Sequence, residues 1–319
     1  MKKRTKSFLL VSAAVCLLGV IICLIGAAVG SSRGEQIFPA NTDYGRCYTY
    51  YFGDSDIGRV KFDTIKAEIN IIGNSDHSCI EVINFDENLS TFSNSNAMVT
   101  FKENPDVSSA LKFWENGFNF KGLRYIFRSG GSENGGIINV YLAQDVKVKA
   151  FDISTASGKV NISSLSDLAD YNITIGNGSV TVKDVTSASV ISVAATETGK
   201  SALSFENVNA ETFSLAAQTA DLKCNGVKAR SCDINVRTGS ALVNYSPSEG
   251  DLFTVDVNTM GKLSVDGDTE QINIYKYVPE DFENGEIPEG TPYIKISGDD
   301  LSVTLDTPRS DKAAESSEH

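Results

Sequence analysis

The hydrophobic and polar positions of residues 151–265 repeat about every 20 positions along the chain. Within each repeat, short runs alternate apolar and polar residues with period two, which is typical of half-buried β-strands. Glycine recurs at the same point of successive repeats, at Gly158, Gly178, Gly199, Gly239 and Gly261. A fixed period of this size indicates stacked units that share one continuous core.

The repeats also resemble one another residue by residue. Residues 151–162 are echoed by 171–182 and again by 232–239, so that Phe151 and Tyr171 occupy equivalent positions. A β-sandwich requires no likeness between successive hairpins, whereas a β-solenoid requires it because each coil stacks in register on the last. The pattern therefore predicts an all-β, single-stranded parallel β-solenoid with about 20 residues per coil.

The register predicts which side chains face the core. Ile173, Val180 and Ile234 fall on inward positions, and Thr174 and Thr181 fall on outward positions. We expect the three inward side chains to share one core, because alternate residues of a strand point to opposite faces.

Four cysteines follow the first 30 residues. Cys224 and Cys232 fall on inward positions of the repeat, where a thiol behaves as a small buried hydrophobe. Disulfides are possible in an exported chain, so the pairing of Cys47 with Cys79 stays open. The sequence contains no C-x-x-C or Cys/His cluster, and no metal or cofactor is expected.

Residues 8–30 form an uninterrupted apolar segment behind the basic residues Lys2, Lys3, Arg4 and Lys6. At about 1.5 Å per residue a helix of this length crosses a hydrocarbon core of roughly 30 Å. The basic flank favours a cytoplasmic N-terminus. We therefore expect a single-pass signal-anchor in the cell membrane with the rest of the chain outside, although the small residues Ala27 and Ala28 leave cleavage as an alternative.

Composition and patterning divide the chain into segments. The polar stretch 31–58 is predicted to be a tether with an edge strand near 47–52, and 307–319 is predicted to be a disordered tail. The repeating domain covers 59–306, with insertions near 98–136 and 276–292. Strands are expected at 137–142 and 146–150, and a last unit at 294–305. Residues 1–7 form a short cytoplasmic tail.

Charge limits the partners. The chain carries a net charge of −13, and residues 31–319 alone carry −17 because the first 30 residues are basic. An acidic body repels nucleic acid over most of its surface, so no nucleic-acid partner is expected. The lipid bilayer is expected as a partner through residues 8–30.

The insertion at 111–128 departs most from the repeat. It holds six aromatic residues, including the only tryptophan, and a net charge of +3 in an otherwise acidic body. One hypothesis is a cap over the N-terminal side of the stack, because aromatic residues cover an open core well. The other is a basic, aromatic contact patch for an anionic partner, formed by Trp114, Phe118, Phe120, Lys121, Arg124, Tyr125 and Arg128.

No constellation specifies a reaction, and no catalytic residue is assigned. His77 lies between Asp76 and Ser78, but adjacent residues cannot form a relayed triad. Residues 54–58 begin like a calcium loop but lack its later acidic ligands, and 130–136 lack the Lys-Ser/Thr of a phosphate-binding loop. Outward positions are mostly Asn, Ser, Thr and Lys, without the stacked carboxylates of a carbohydrate-active β-helix enzyme, which stays the alternative.

Residues 138–142, 146–148 and 153–160 together carry a family resemblance. They resemble the signature of a bacterial putative-adhesin family, a domain of unknown function in which a strand ending in Tyr-Leu-Pro precedes Ser-Gly turns between apolar strands. Ala143 stands where that family has proline. The resemblance covers roughly residues 60–306 and implies a right-handed parallel β-solenoid on the cell envelope. It implies a non-enzymatic, adhesin-like binding or scaffold domain whose partner is a cell-envelope polymer or a membrane protein.

Overall fold

A computed structural model describes residues 46–52, 57–85, 90–95, 97–103, 135–166, 169–247, 252–269, 274–279 and 287–307. All of them belong to one compact unit. Every regular element among them is a β-strand, so the described part of the chain is all-β. It contains no helix long and apolar enough to cross a membrane, and the apolar segment 8–30 lies outside it.

Fifteen strands form one mixed sheet. In chain order they are β1 (Arg46–Tyr51), β2 (Arg59–Ile72), β3 (Cys79–Ile83), β4 (Ser90–Ser95), β5 (Met98–Glu103), β6 (Gly136–Tyr141), β7 (Ala150–Leu165), β8 (Ala169–Ala195), β9 (Ser201–Ser246), β10 (Thr254–Thr259), β11 (Leu263–Val265), β12 (Asp268–Thr269), β13 (Ile274–Tyr277), β14 (Tyr293–Gly298) and β15 (Asp300–Asp306). The longest, β8 and β9, each run through more than one repeat because backbone pairing continues through the bends.

The central strands β2, β7, β8 and β9 pair in parallel and in register. Phe151 lies opposite Tyr171, as the repeat predicts, and their rings stack with centroids 5.5 Å apart. Ile173, Val180 and Ile234 are each at most 2% exposed and belong to one core cluster, which confirms the predicted inward register. Burying a side chain of this size stabilises the fold by about 1.5–3 kcal/mol.

Three of the repeated glycines explain the sharp bends. Gly158, Gly178 and Gly239 have φ values of 138°, 133° and 135°, a region that side chains rarely adopt. A Cβ atom at any of them would collide with a backbone carbonyl of the neighbouring unit. Glycine is therefore required there for close stacking as well as for conformation.

The first end of the sheet does not follow chain order. Strands β5 and β6 pair in parallel with β2, on the side away from β7, although both follow β2 in the sequence. The antiparallel strands β3 and β1 extend the sheet beyond β6, and β4 pairs antiparallel with β5. Residues 98–103, at the start of the insertion predicted near 98–136, form β5, and their alternate side chains Val99 and Phe101 are buried in the core.

Aromatic side chains cover this first end. The rings of Tyr48 and Phe92 stack with centroids 5.6 Å apart, and Tyr50 lies 5.5 Å from Phe52 and 5.8 Å from Phe92. These residues come from β1, the residue after it, and β4. The insertion 111–128 lies outside the described residues, so its proposed role as a cap stays a prediction.

The other end also departs from chain order. The last two strands in the sequence, β14 and β15, lie between β9 and the earlier strands β10 and β11, with parallel pairing on both sides. Beyond them, β13 pairs antiparallel with β10, and β12 with β11. Hence the last unit is internal, which the linear repeat does not reveal. Strand β13 also includes residues 276–277, which the sequence pattern assigned to an inserted loop.

The segment 146–150, predicted to be a strand, joins one only at its last residue, Ala150. Val148 makes one isolated parallel bridge with Ile57, and β7 begins at Ala150. Val146 instead closes a turn by donating its backbone N–H to the carbonyl of Ala143. Residues 146–149 therefore connect β6 to β7 and do not form a continuous ladder with a neighbouring strand.

Candidate functional site

A side groove with a volume of about 660 Å³ crosses the outer face of the sheet. It is lined by short segments of β8, β9, β14 and β10 together with the turns that follow them. The lining residues are Ala194, Ala195, Thr196, Ala216, Ala217, Gln218, Asn235, Arg237, Asn258, Met260, Ser297, Gly298 and Asp299. The groove runs across the strands, since it takes one segment from each successive unit.

Outward positions of in-register strands form the floor of the side groove. Ala194 lies opposite Ala216, and Ser297 lies between Asn235 and Asn258. These five residues are alanine, serine and asparagine, and each has at least one neighbour along its strand in the core, such as Val193, Leu215 or Val257. The sequence therefore builds a shallow channel where larger outward side chains would fill the space.

An ion pair crosses the rim of the side groove. Arg237 donates from Nε to Oδ2 of Asp299 at 3.0 Å, and both side chains are 66% exposed. The backbone joins the same residues, because the N–H of Asp299 donates to the carbonyl of Arg237 and that of Met260 donates to the carbonyl of Asp299. An exposed pair of this kind adds at most about 1 kcal/mol to stability, but its position on the rim is fixed by the backbone bonds.

A second polar cluster lies on the outer surface of β9 and the turn before it. The Lys200 ammonium lies 2.7 Å from Oδ2 of Asp221, and the Ser240 hydroxyl donates to Oδ1 of the same carboxylate. These hydrogen bonds, first from Lys200 and then from Ser240, lower the pKa of Asp221. Because the Ser240 hydroxyl donates to an ionised carboxylate and not to a general base, it is not activated as a nucleophile. The three residues form a row of polar contacts along the surface.

Two buried thiols lie in the core. Cys224 and Cys232 are 2% and 0% exposed, which confirms the prediction that both are inward. Burial raises the pKa of both thiols, and for Cys232 the neighbouring Cys224 adds to the effect. A thiol with a raised pKa and no access to solvent is a poor nucleophile. These residues therefore act as packing side chains.

Two tyrosines near these thiols, Tyr245 of β9 and Tyr293 of β14, make hydrogen bonds where these two strands pair. The buried hydroxyl of Tyr245 donates to the carbonyl of Ala229 at 2.8 Å, and burial raises its pKa. The Tyr293 hydroxyl donates to Oδ2 of Asp233 at 2.7 Å, and this hydrogen bond, together with burial, raises the pKa of Tyr293. The Tyr293 hydroxyl thus ties β14 to β9, whereas the bond from the Tyr245 hydroxyl to Ala229 joins two segments of β9 itself.

The residues singled out from the sequence do not assemble a reactive site in the described structure. His77 is exposed, and its ring lies 5.4 Å from that of Tyr141. The whole proposed contact patch, Trp114, Phe118, Phe120, Lys121, Arg124, Tyr125 and Arg128, lies outside the described residues. Within the described ranges, no group of three or more His, Cys, Asp or Glu side chains could hold a metal ion.

The cysteine pairing that the sequence leaves open involves Cys47 and Cys79. The side chain of Cys47 lies outside the described residues, so this pairing stays open.

The side groove has no clear signature in the sequence. Its floor residues are outward and small, and such residues have no distinctive chemistry in a linear sequence. The available signal was the pair of alanines, Ala194 and Ala216, at outward positions where neighbouring repeats carry larger polar residues such as Thr174. Ser297 and Asp299 come from the last unit of the chain, which pairs between the earlier strands β9 and β10. The order of residues in the sequence therefore does not predict the complete floor.

Comparison with known proteins adds two structural neighbours. No family model matches the chain, and no curated protein matches it. It is similar to a putative adhesin from Bacteroides fragilis NCTC 9343, with 10% identity, a TM-score of 0.38, and coverage of 82% of this chain and 96% of that chain. It is also similar to a putative cell adhesion protein from Clostridium sporogenes ATCC 15579, with 10% identity, a TM-score of 0.27, and coverage of 83% and 100% respectively. Neither likeness is close enough to transfer a function to this chain.

Proposed function

We propose that this protein is a non-enzymatic cell-envelope protein whose extracytoplasmic domain acts by binding, as an adhesin-like or scaffold module. The observation that carries the proposal is the side groove, a channel across five stacked segments over one continuous core. Repeat architectures of this kind use extended surfaces to bind extended partners. The partner is a polymer of the cell envelope or a membrane protein.

The architecture proposed for this domain is a right-handed parallel β-solenoid with about 20 residues per coil. Parallel, in-register pairing from β2 to β9 and the stacked glycines at the bends support it. The resemblance of residues 138–160 to a putative-adhesin family supports the hand and the envelope setting. A rigid stack of this kind suits a scaffold, because each unit is fixed by its neighbours.

The membrane location is also a proposal. Residues 8–30 would span the bilayer once, with residues 1–7 in the cytoplasm and the β-domain outside, as the apolar length and the basic flank favour. Mass spectrometry of the mature protein from native membranes tests this, since an uncleaved chain retains its first residues. A mature N-terminus near residue 28 would overturn the anchor without affecting the groove.

The aromatic insertion offers a second proposed contact. Lys121, Arg124 and Arg128 would bind an anionic partner beside the aromatic residues of the contact patch. Replacing all three by Gln should weaken that binding and remove its salt dependence while the melting temperature stays the same. Unchanged binding would leave the segment with the role of a cap only.

The binding function itself is tested with the full-length chain in lipid nanodiscs. The nanodiscs are incubated with isolated cell-wall glycan and with solubilised membrane proteins, and empty nanodiscs serve as the control. Saturable retention of one fraction supports the proposal, whereas no retention of either overturns it. Release of shortened sugar chains during the incubation would instead support the alternative, a carbohydrate-active enzyme.

A further inference from the structure

The lining of the side groove repeats at the spacing of the strands that form it, about 4.8 Å. From the first floor residue to the last, the groove crosses four such spacings, or about 19 Å. We propose that the side groove binds an uncharged polysaccharide chain laid across the strands. This inference rests on the proposed binding function and names the chemical class of its ligand.

The polar half of the floor matches the chemistry of a neutral sugar. Asn235, Ser297 and Asn258 lie in register, so amide, hydroxyl and amide groups follow one another along the groove. Each of these groups both donates and accepts hydrogen bonds. A sugar hydroxyl does the same, and every residue of a polysaccharide carries several. A repeating ligand can therefore make equivalent bonds to successive units.

The spacing discriminates between a polysaccharide and a polypeptide. An extended peptide advances about 3.3–3.6 Å per residue, so it falls out of step with a floor that repeats every 4.8 Å or so. A pyranose ring in an extended chain advances by nearly one strand spacing. The groove also runs across the strands, where no free strand edge is available for backbone pairing with a peptide.

The charges of the groove favour a neutral chain. Among the described residues that line it, Arg237 is the one cation and Asp299 the one anion, and they pair with each other. A polyanion would meet a guanidinium already compensated by a carboxylate, in a body of net charge −17. The pair still has guanidinium N–H donors and carboxylate acceptors that its mutual bond does not use, and these can bind sugar hydroxyls.

The apolar half of the groove suits the ring faces of sugars. The methyl groups of Ala194 and Ala216 form a flat floor, and Met260 is 78% exposed at the far end. Thioether side chains adapt to irregular ligand surfaces. Covering these groups with the C–H face of a pyranose ring removes apolar surface from water on both partners.

Blocking the floor tests the site. Full-length protein in nanodiscs is titrated with cellohexaose and chitohexaose as neutral probes, hexagalacturonate as the anionic probe, and a neutral unstructured hexapeptide. Ala216→Glu should weaken binding of at least one neutral sugar by about tenfold or more, because the longer side chain occupies the channel. Ala202→Glu is the matched control, since it adds the same charge at an exposed position of β9 outside the groove and should leave binding unchanged.

Changing the charge of the rim tests the ligand class. Asp299→Asn leaves Arg237 uncompensated, so binding of hexagalacturonate should rise severalfold relative to the neutral sugars. Asp306→Asn, at an exposed end of β15 outside the groove, removes the same charge and should not change that ratio. Wild-type protein that prefers hexagalacturonate or the peptide would overturn the neutral-chain assignment.

The outcomes separate this inference from the proposed function. Retention of an envelope fraction by wild-type protein and equally by Ala216→Glu would leave the binding function standing and overturn the groove as its site. Absence of all envelope binding by wild-type protein would overturn the proposed function first. Loss of neutral-sugar binding in Ala216→Glu but not in Ala202→Glu, at equal melting temperatures, would support both.

Discussion

At the scale of single residues, close stacking depends on glycines that no other residue can replace. Gly178 has φ 133°, and its missing side chain makes room for the carbonyl of Gly158 in the preceding unit. Gly267 also has a positive φ, 89°, but a Cβ there would meet nothing within 4 Å. The two positions therefore separate the cost of conformation from the cost of a steric collision.

We predict that Gly178→Ala destabilises the domain much more than Gly267→Ala. The change at Gly267 costs about 1–2 kcal/mol through conformational strain alone. The change at Gly178 adds a backbone collision, so its cost should exceed that range. Urea denaturation of the two variants measures the difference. Equal unfolding midpoints would show that adjacent units can separate without penalty.

We also predict that inward and outward residues respond differently to truncation. Ile173→Ala should cost about 2–5 kcal/mol, because the side chain is 2% exposed and its removal leaves a cavity. Thr174→Ala, the exposed neighbour on the same strand, should cost about 0.5 kcal/mol or less. Thermal unfolding of both variants provides the comparison. Similar shifts in melting temperature would contradict the described register.

At the scale of elements, outward side chains form ladders that follow the backbone register. Asn70 of β2 donates to Asn139 of β6 at 2.9 Å and accepts from Asn161 of β7 at 2.8 Å. The three residues lie directly opposite one another in parallel strands. Each of these side-chain hydrogen bonds stabilises the contact between the two strands that it joins. The ladder therefore helps to hold β6, which follows β2 in the sequence but pairs on the side away from β7, against the repeat.

We predict that Asn70→Ala costs about 1–3 kcal/mol, since the two ladder hydrogen bonds, of about 0.5–1.5 kcal/mol each, are lost together with a longer bond to Glu68. The double variant with Asn161→Ala should cost less than the sum of the single changes, because the two residues share a bond. Thr181→Ala, at the equivalent outward position of β8, is the control and should have little effect. Strict additivity in the double-mutant cycle would exclude the ladder.

At the scale of the whole molecule, the described sheet is assembled out of chain order at both ends. Strand β14 lies between β9 and β10, and β15 lies between β9 and β11; their side chains Ile294, Ile296 and Leu301 are fully buried. Ser297 of β14 and Asp299, the residue between the two strands, also line the side groove. The core and the candidate binding site therefore both depend on the last segment of the described chain.

We predict that ending the chain at residue 286 abolishes cooperative unfolding. Removal of β14 and β15 would leave β10 and β11 without the strands that join them to β9. Ending the chain at residue 307 should leave the unfolding midpoint unchanged, since both strands are kept. A peptide of residues 287–307 added to the shorter chain should restore part of the transition. A shorter chain that unfolds as cooperatively as the intact protein would contradict the internal position of this unit.

The sequence by itself determined the local features of this protein. Period-two alternation identified most of the strands, and the 20-residue repeat identified which side chains, such as Ile173 and Cys224, are inward. These features are readable because they depend on neighbours along the chain and on the alternation of side chains across a strand. Recurrent glycines likewise marked bends at Gly158, Gly178 and Gly239, where φ is positive.

Only the tertiary structure decided the order of the strands and the position of the side groove. Nothing local distinguishes a last unit that stacks at the end from one that inserts between β9 and β10, since both bury the same alternating residues. The groove depends on that order, because Asn258 and Asn235 become its floor only with Ser297 between them. Strand partners are chosen by long-range backbone pairing and core packing, which a linear pattern does not encode.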